Sequence, residues 1–493
     1  MPAKLSGLLG NSWVLLFLVF ASLEAVSFAV FPSIWLSRLA FIIILIIACA
    51  LTIRKLEFGA YLLLSELVVG GLGYLVTFPL DGGRIPLRIG LFAVVAIIWL
   101  VKFLLKQNWK IFNDRRLIPL AIFFAIFLIA IVEGRANGYG LSAVYSDFNG
   151  YLYFGLLGLF LSVSLRPIRL MQILIAGTVV SGLLTLLSLF LFSHNLAIVN
   201  HSLFYTWIRD TGVGEITLIA APLYRIFFQS HLFNLLALIF SVFILLFRSS
   251  EAGESNIIID SVSRSRWSKA LLWIFAFLNF CVLVISQSRS FWVAGLAILV
   301  FALPAAAIYF KISFKRIVPY LLIIPAFAIL SNFVGQGIIG DFHTDFLTGR
   351  VSGASGSAAV SSRMAELAPA FALIKQAPFF GNGFGTAIRF RSDDPRIKNQ
   401  SNPEGWTDAV AIEWGYLDLA VKTGILGLLA YLAFLFSLAW PLWQTFLKKD
   451  LLATSLLVGL LALMIVHMFT PYLNHPLGIG YLLAIIALTK SSS

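Results

Sequence analysis

Four short stretches carry the side chains able to do chemistry in an otherwise apolar chain. The stretch "AIEWGYLDLAVKTGILGLLAYL" at 411–432 sets Glu413, Asp418 and Lys422 at the head of an apolar run. "ISQSRSFW" at 285–292 holds Ser288 and Arg289 in a short turn, and "YRIFFQSH" at 224–231 holds Arg225 at the end of a span. "SSRMAELAPAFALIKQAPFFGNGFGT" at 361–386 holds Arg363 and Gly383. A carboxylate can take a proton from a hydroxyl, most readily where a dry pocket raises its pKa. A guanidinium is a planar fork that grips phosphate through two hydrogen bonds. One helix through 413–424 would put Glu413, Tyr416, Leu417, Ala420 and Gly424 on a single face. Asp418 and Lys422, four residues apart, would pair on another.

The missing motifs are equally informative. The chain has no P-loop, no H-E-x-x-H, no G-x-S-x-G and no D-x-D pair. "GNGFG" at 381–385 lacks the spacing and the preceding strand of a dinucleotide fingerprint. An enzyme built on these residues is expected to work without cofactor or metal. No nucleic-acid partner is expected.

The elements that position these residues must be membrane helices. The chain has 493 residues, 60% hydrophobic and 12% charged, where soluble domains have about a quarter of their residues charged. Apolar runs of about 20 residues recur, the length that crosses a bilayer as a helix. A membrane barrel would instead show short alternating strands. The expected fold is all-α, a polytopic integral membrane protein with about 12–14 transmembrane helices and one long extracytoplasmic loop. Spans are expected at roughly 12–31, 34–53, 58–78, 86–105, 117–134, 149–165, 170–192, 227–247, 269–286, 291–310, 317–335, 424–443, 451–472 and 475–489. The N-terminal stretch has the basic and apolar regions of a signal peptide, but its apolar character continues past them and predicts a first membrane helix. The chain divides into a helix bundle over 1–335, a loop over 336–410 with short helices, and a last helical region over 411–493. Residues 349–362 are mostly small and read as a flexible segment or lid. Cys49 and Cys281 lie inside apolar runs and predict no disulfide.

Charge sets the expected orientation. With both termini in the cytoplasm, 20 of the 35 Lys and Arg fall in inside loops. Of the 15 outside, seven sit in the one long loop, which the positive-inside rule discounts. The type of base differs too: eleven Lys and nine Arg inside, three Lys and twelve Arg outside. Topology needs only charge, so the outer arginines point to an anionic, phosphorylated ligand.

The order of these motifs resembles the O-antigen ligase and O-antigen polymerase family of bacterial membrane glycosyltransferases. Ser288 and Arg289 match its Ser-Arg pair in a short outer turn. Arg363, Pro378, Gly381 and Gly383 match its helix that begins near an Arg and ends in P-x-x-G-x-G. Tyr416, Leu417, Gly424 and Gly427 match its H-N-x-Y-L-x-x-x-x-x-x-G-x-x-G helix. Glu413 and Trp414 stand where that pattern has His and Asn. The family histidine is regarded as the base that activates the acceptor, so the resemblance makes Glu413 the candidate base here.

The resemblance implies transfer of an oligosaccharide from a polyprenyl-pyrophosphate donor to an acceptor sugar hydroxyl, with inversion at the anomeric carbon. The site would face the exterior of a bacterial cytoplasmic (inner) membrane. Glu413 and Arg289 are the expected catalytic residues, and Arg225, Arg363, Tyr416, Ser288 and Gly383 the expected binding residues for pyrophosphate and glycan. Expected partners are the lipid-linked oligosaccharide, an acceptor glycan, membrane lipids, a chain-length regulator and a flippase. Polymerisation of surface repeats is favoured, because Glu replaces the ligase-like His and the outer loops are Arg-rich. Ligation to a lipid A core and protein O-glycosylation are the alternatives within the family. A lipid-linked glycan flippase is the rival from another class. It would not need the P-x-x-G-x-G helix or a carboxylate leading the Y-L helix.

Overall fold

The computed structural model describes residues 3–196, 201–247, 266–342, 354–394 and 397–489. Among these, ten helices are long and apolar enough to cross a membrane, from Ser12–Val30 to Leu451–Phe469. Two shorter apolar helices, His231–Leu246 and Pro476–Leu488, occupy two further expected spans. Among the described residues the fold is all-α apart from three two-stranded hairpins.

The two remaining expected spans take a different form. The span at 58–78 is a helix only over Leu56–Val69. Gly70, Gly71 and Gly73 follow, and the chain turns into the hairpin Thr77–Leu80/Gly83–Pro86. Gly71 has φ +55° and lies against the backbone of Gly212 and Val213, where a side chain would not fit. The span at 149–165 is a 3-10 helix over Asn149–Leu156 followed by an α-helix over Leu157–Ser162. The 3-10 form rises about 2.0 Å per residue, so fewer residues cover the same depth. Gly150 and Gly155 on the 3-10 helix and Gly158 on the α-helix admit the Asn474 backbone, the Phe92 ring and the Trp99 ring.

Contacts between helix ends sort the molecule into two ends. At one, Lys102 Nζ donates to the Thr52 carbonyl (3.3 Å) and Trp99 Nε1 to Ser162 Oγ (2.9 Å). There too Arg116 Nη1 donates to Thr489 Oγ1 (2.6 Å). The opposite end carries the hairpins. Its second hairpin pairs Gly214–Ala220 with Leu223–Phe228, ahead of the helix His231–Phe247. The core lies around Leu451–Phe469 and Pro476–Leu488, whose side chains are mostly buried. Helices such as Ile34–Arg54 lie at the rim and present Trp35, Ile46 and Ile47 outward, as lipid would favour.

The region after the helix Phe314–Ile339 is ordered where it is described. Residues 349–353 of the expected flexible segment lie outside the described residues, but Ala354–Ala365 is a helix, followed by Leu367–Gln376. The third hairpin, Ile388–Arg391 with Trp406–Ala409, caps them. Its strand alternates, with Ile388 and Phe390 inward and Arg389 and Arg391 outward. The inward pair packs with Ala370, Ile412 and Val421, against Trp414 and Leu417. A small core of its own therefore ties the loop to the start of the helix Gly415–Phe446.

Candidate functional site

The glycine motifs build a break in a helix. Gly415–Phe446 is interrupted at Gly424, whose φ of +68° and ψ of −176° only glycine adopts readily. The interruption strands backbone groups on both sides, and the P-x-x-G-x-G turn satisfies them. Asn382 N donates to the Val421 carbonyl (2.8 Å) and Gly383 N to the Lys422 carbonyl (3.1 Å). In return Ile425 N donates to the Pro378 carbonyl (2.8 Å) and Leu426 N to the Phe379 carbonyl (3.3 Å). A Cβ on Gly381 would collide with the Lys422 and Gly424 backbones, and one on Gly383 with Gly134 of the helix Ile118–Ala136. Gly383, an expected binding residue, is buried and its amide is committed to this clasp.

The expected Asp418–Lys422 pair is present at 2.7 Å, with a third member. Asp147, from the short helix Leu141–Phe148, also pairs with Lys422 Nζ. Lys422 Nζ further donates to the Val410 carbonyl (2.8 Å). Asp418 accepts from Ile412 N (3.1 Å) and Asn474 Nδ2 (3.1 Å), and Asp147 from Gly385 N (2.8 Å). Every one of these partners is a joint between elements, so the cluster pins residues 410–412 and the helix start in place.

Above it stands a second charged group. Glu413 is not on the helix, as the one-face reading required, but precedes Trp414, the residue that caps it. Its carboxylate pairs with the Arg363 guanidinium. Two more bonds lace the same segments together. Glu413 N donates to Glu366 Oε2 (3.0 Å), and Trp414 Nε1 donates to the Arg363 carbonyl (2.9 Å). Glu366 is buried, and burial pushes its carboxyl up to about 7. The charges of Glu413 and Asp418 push the same way, and the Glu413 N–H and Arg363 push against them.

Arg289 lies within electrostatic reach of Arg363. It opens the helix Arg289–Ala297 after Ser288, whose buried Oγ is 3.2 Å from Ser290 Oγ. Thr470 Oγ1 donates to Ser290 Oγ (3.3 Å), which holds this turn to the end of Leu451–Phe469. Arg225 sits on the hairpin strand Leu223–Phe228 rather than at a helix end. Its Nε donates to the Ser286 carbonyl (3.0 Å), its Nη1 is 3.6 Å from Glu215 Oε2, and its guanidinium lies over the Phe227 ring. Arg225 therefore braces the turn that carries Arg289.

Tyr416 points elsewhere. Its hydroxyl donates to the Met464 carbonyl (3.0 Å) and its ring meets His467 edge-on, so it is a strut between helices. Sequence reasoning missed Asp147, Glu215 and Glu366. Asp147 and Glu215 are far from the other motifs in sequence. Glu366 had a local signal, since it lies three residues after Arg363 in a helical stretch and shares its face.

This end of the molecule thus gathers Arg225, Arg289 and Arg363 with the carboxyl groups of Glu413 and Glu366. Cations of this kind neutralise a phosphorylated group, and a carboxylate beside them can accept a proton. An apolar cavity of about 270 Å³ lies against the helix that Arg289 opens and is lined by Phe291, Trp292, Leu283, Leu235, Ile239 and Phe327 among others. No curated protein matches the chain. Residues 274–432 match the family model described as O-Antigen ligase, a stretch that contains Arg289, Arg363, Glu366 and Glu413. Over residues 274–432, about a third of its length, the chain is therefore similar to the O-antigen ligase family.

Proposed function

We propose that this protein polymerises lipid-linked oligosaccharide repeats by inverting transfer on the outer side of a bacterial cytoplasmic membrane. The observation that carries this reading is the pairing of Arg363 with Glu413 beside Arg289, inside the region that matches the family. The donor is a glycan on a polyprenyl pyrophosphate. Arg289 and Arg363 hold the pyrophosphate, while Arg225 and Ser288 keep the Arg289 turn in place. The apolar cavity lined by Phe291 and Trp292 takes the first isoprene units of the lipid. Glu413 accepts the proton of the acceptor hydroxyl as that oxygen attacks the anomeric carbon. The carbon–oxygen bond to phosphate breaks on the opposite face, and its electron pair leaves with the pyrophosphate. Preorganised guanidinium groups stabilise the charge that develops there, a contribution that typically reaches a few kcal/mol per donor.

Ligation is the second reading, favoured by the description of the matching family model. The two differ in acceptor: another lipid-linked repeat for a polymerase, a lipid A core or a protein hydroxyl for a transferase. Both termini then face the cytoplasm, and a flippase and a chain-length regulator work beside the enzyme.

Purified protein in nanodiscs, given a polyprenyl-pyrophosphate oligosaccharide, should produce a ladder of lengthening glycans. Glu413→Gln should lower the rate by about 10²–10⁴, the usual contribution of a general base. Arg289→Ala should lower it by about 10²–10³. A single ligated product on lipid A core would select ligation. Full activity in both variants at equal folded protein would overturn the mechanism.

A further inference from the structure

Arg289 and Arg363 are like charges within electrostatic reach of each other, and the carboxylate beside them is Glu413. The residue best placed to take a proton is therefore committed, in the resting state, to a guanidinium. A carboxylate oxygen bonded to a guanidinium must leave it before it can accept the proton of a hydroxyl. Its half-exposed position leaves the pair open to exchange: the side chains are 36% and 48% exposed for Arg363 and Glu413.

From this geometry we propose that Glu413 is a stand-in anion, and that donor pyrophosphate displaces it from Arg363 and so frees the base. The proposal rests on the functional reading above and adds an order to it, with the donor binding before the acceptor can be activated. A pyrophosphate diester carries two negative charges and several acceptor oxygens. It competes well against one carboxylate for a bidentate fork and satisfies Arg289 at the same time. Release must not let Glu413 drift away, and the bonds that prevent it do not involve the ion pair. Glu366 Oε2 accepts the Glu413 N–H, and Trp414 Nε1 donates to the Arg363 carbonyl. The Glu413 backbone stays fixed while its side chain is released. Glu366 is thus a positioning residue that acts through Glu413.

Carbodiimide labelling with an amine nucleophile, read by mass spectrometry, reports how accessible the Glu413 carboxyl is. Glu215 serves as the internal control, since it sits on the hairpin and pairs with Arg225. Farnesyl pyrophosphate, which has no sugar to transfer, is the probe, and its binding to protein in nanodiscs is measured separately. Labelling of Glu413 should be low in the free protein and rise several-fold at saturating probe, with Glu215 unchanged. Arg363→Gln should label strongly without probe and respond little to it. Glu366→Ala should lower transfer rate more than donor affinity, and Glu366→Gln, which keeps an acceptor oxygen for the Glu413 N–H, should recover most of it. If the probe binds and Glu413 labelling does not rise, and Arg363→Gln labels like the unaltered protein, the displacement is wrong while the functional reading stands. If the probe does not bind at all, both fall.

Discussion

Two clusters at the same end of the bundle pair a cation with carboxylates, and they differ in nearly every physical respect. Lys422 is 1% exposed and its partners Asp147 and Asp418 are 4% and 10% exposed. Backbone amides and a carbonyl satisfy the cluster further, from residues 385, 410 and 412. Arg363 and Glu413 are a third to a half exposed and share one direct link. The dry cluster cannot exchange a partner without leaving a charge uncompensated in a low-dielectric interior. The wet pair can. Sequence places the two within ten residues of each other, at Glu413 and Lys422, and only burial separates structure from chemistry.

The largest effect should come from breaking the dry cluster. Lys422→Met leaves two carboxylates buried together without a cation. Removing one partner of a buried pair typically costs about 3–5 kcal/mol, a large part of the stability of most domains. The expected outcome is little folded protein, seen as aggregated or void-volume material on size exclusion after detergent extraction. Asp418→Asn should be milder, because its amide oxygen still accepts from Ile412 N. If Lys422→Met purifies in normal yield with an unchanged thermal midpoint, the division between the two clusters is mistaken.

This contrast also explains what could be read from the sequence. Apolar runs dictate helices because lipid offers no partner for a bare backbone, so most of the fold was legible. Where glycine admitted a neighbouring ring or backbone, as at Gly150 and Gly155, the same run became a 3-10 helix, and no composition argument reveals that. The i,i+4 spacing showed Asp418–Lys422, but Asp147 comes from 275 residues away and only the fold brings it in. Helical periodicity misled at Glu413. The helix begins after Trp414, so the residue is aimed by the Glu366 contact rather than by a helical face. Gly383 and Tyr416 matched motif positions, yet the bonds they make serve the helix break and the packing against Met464. A motif records that a residue type is required, and not whether the requirement is chemical or mechanical.

A smaller effect lies between the clusters. The Glu366 carboxyl is raised from about 4.5 to about 7, chiefly by burial, with Glu413, Asp418 and Arg363 facing it. A carboxyl harder to ionise in the folded state binds more protons there than when unfolded. Stability is therefore lost as pH rises from about 4.5 to about 7, and not regained above it. Glu366→Gln has no such titration. Its thermal midpoint minus that of the unaltered protein should increase between pH 5 and pH 8, by about 2 °C or less in a chain of this size. A difference that stays flat across this range would mean that Glu366 is not buried in its neutral form.

The smallest effect should be in the stability of the wet pair. Exposed ion pairs contribute about 0–1 kcal/mol, so Glu413→Gln should fold normally and move the midpoint little. The sign is still informative, because neutralising Glu413 removes the carboxylate that pairs with Arg363 while the like charge of Arg289 stays within reach. The variant should be slightly less stable than the unaltered protein at low salt. That deficit should close by about 0.5 M salt, where the screening length falls well under 10 Å. Inorganic pyrophosphate at low salt should raise the midpoint of Glu413→Gln more than that of the unaltered protein, because the variant has no internal anion to displace. Asp418→Asn should respond to salt and to pyrophosphate no differently from the unaltered protein, since the partners of Asp418 are closed off from solvent. If pyrophosphate favours the unaltered protein instead, Glu413 is not competing for Arg363, and the pair belongs with the dry cluster as a fixed part of the architecture.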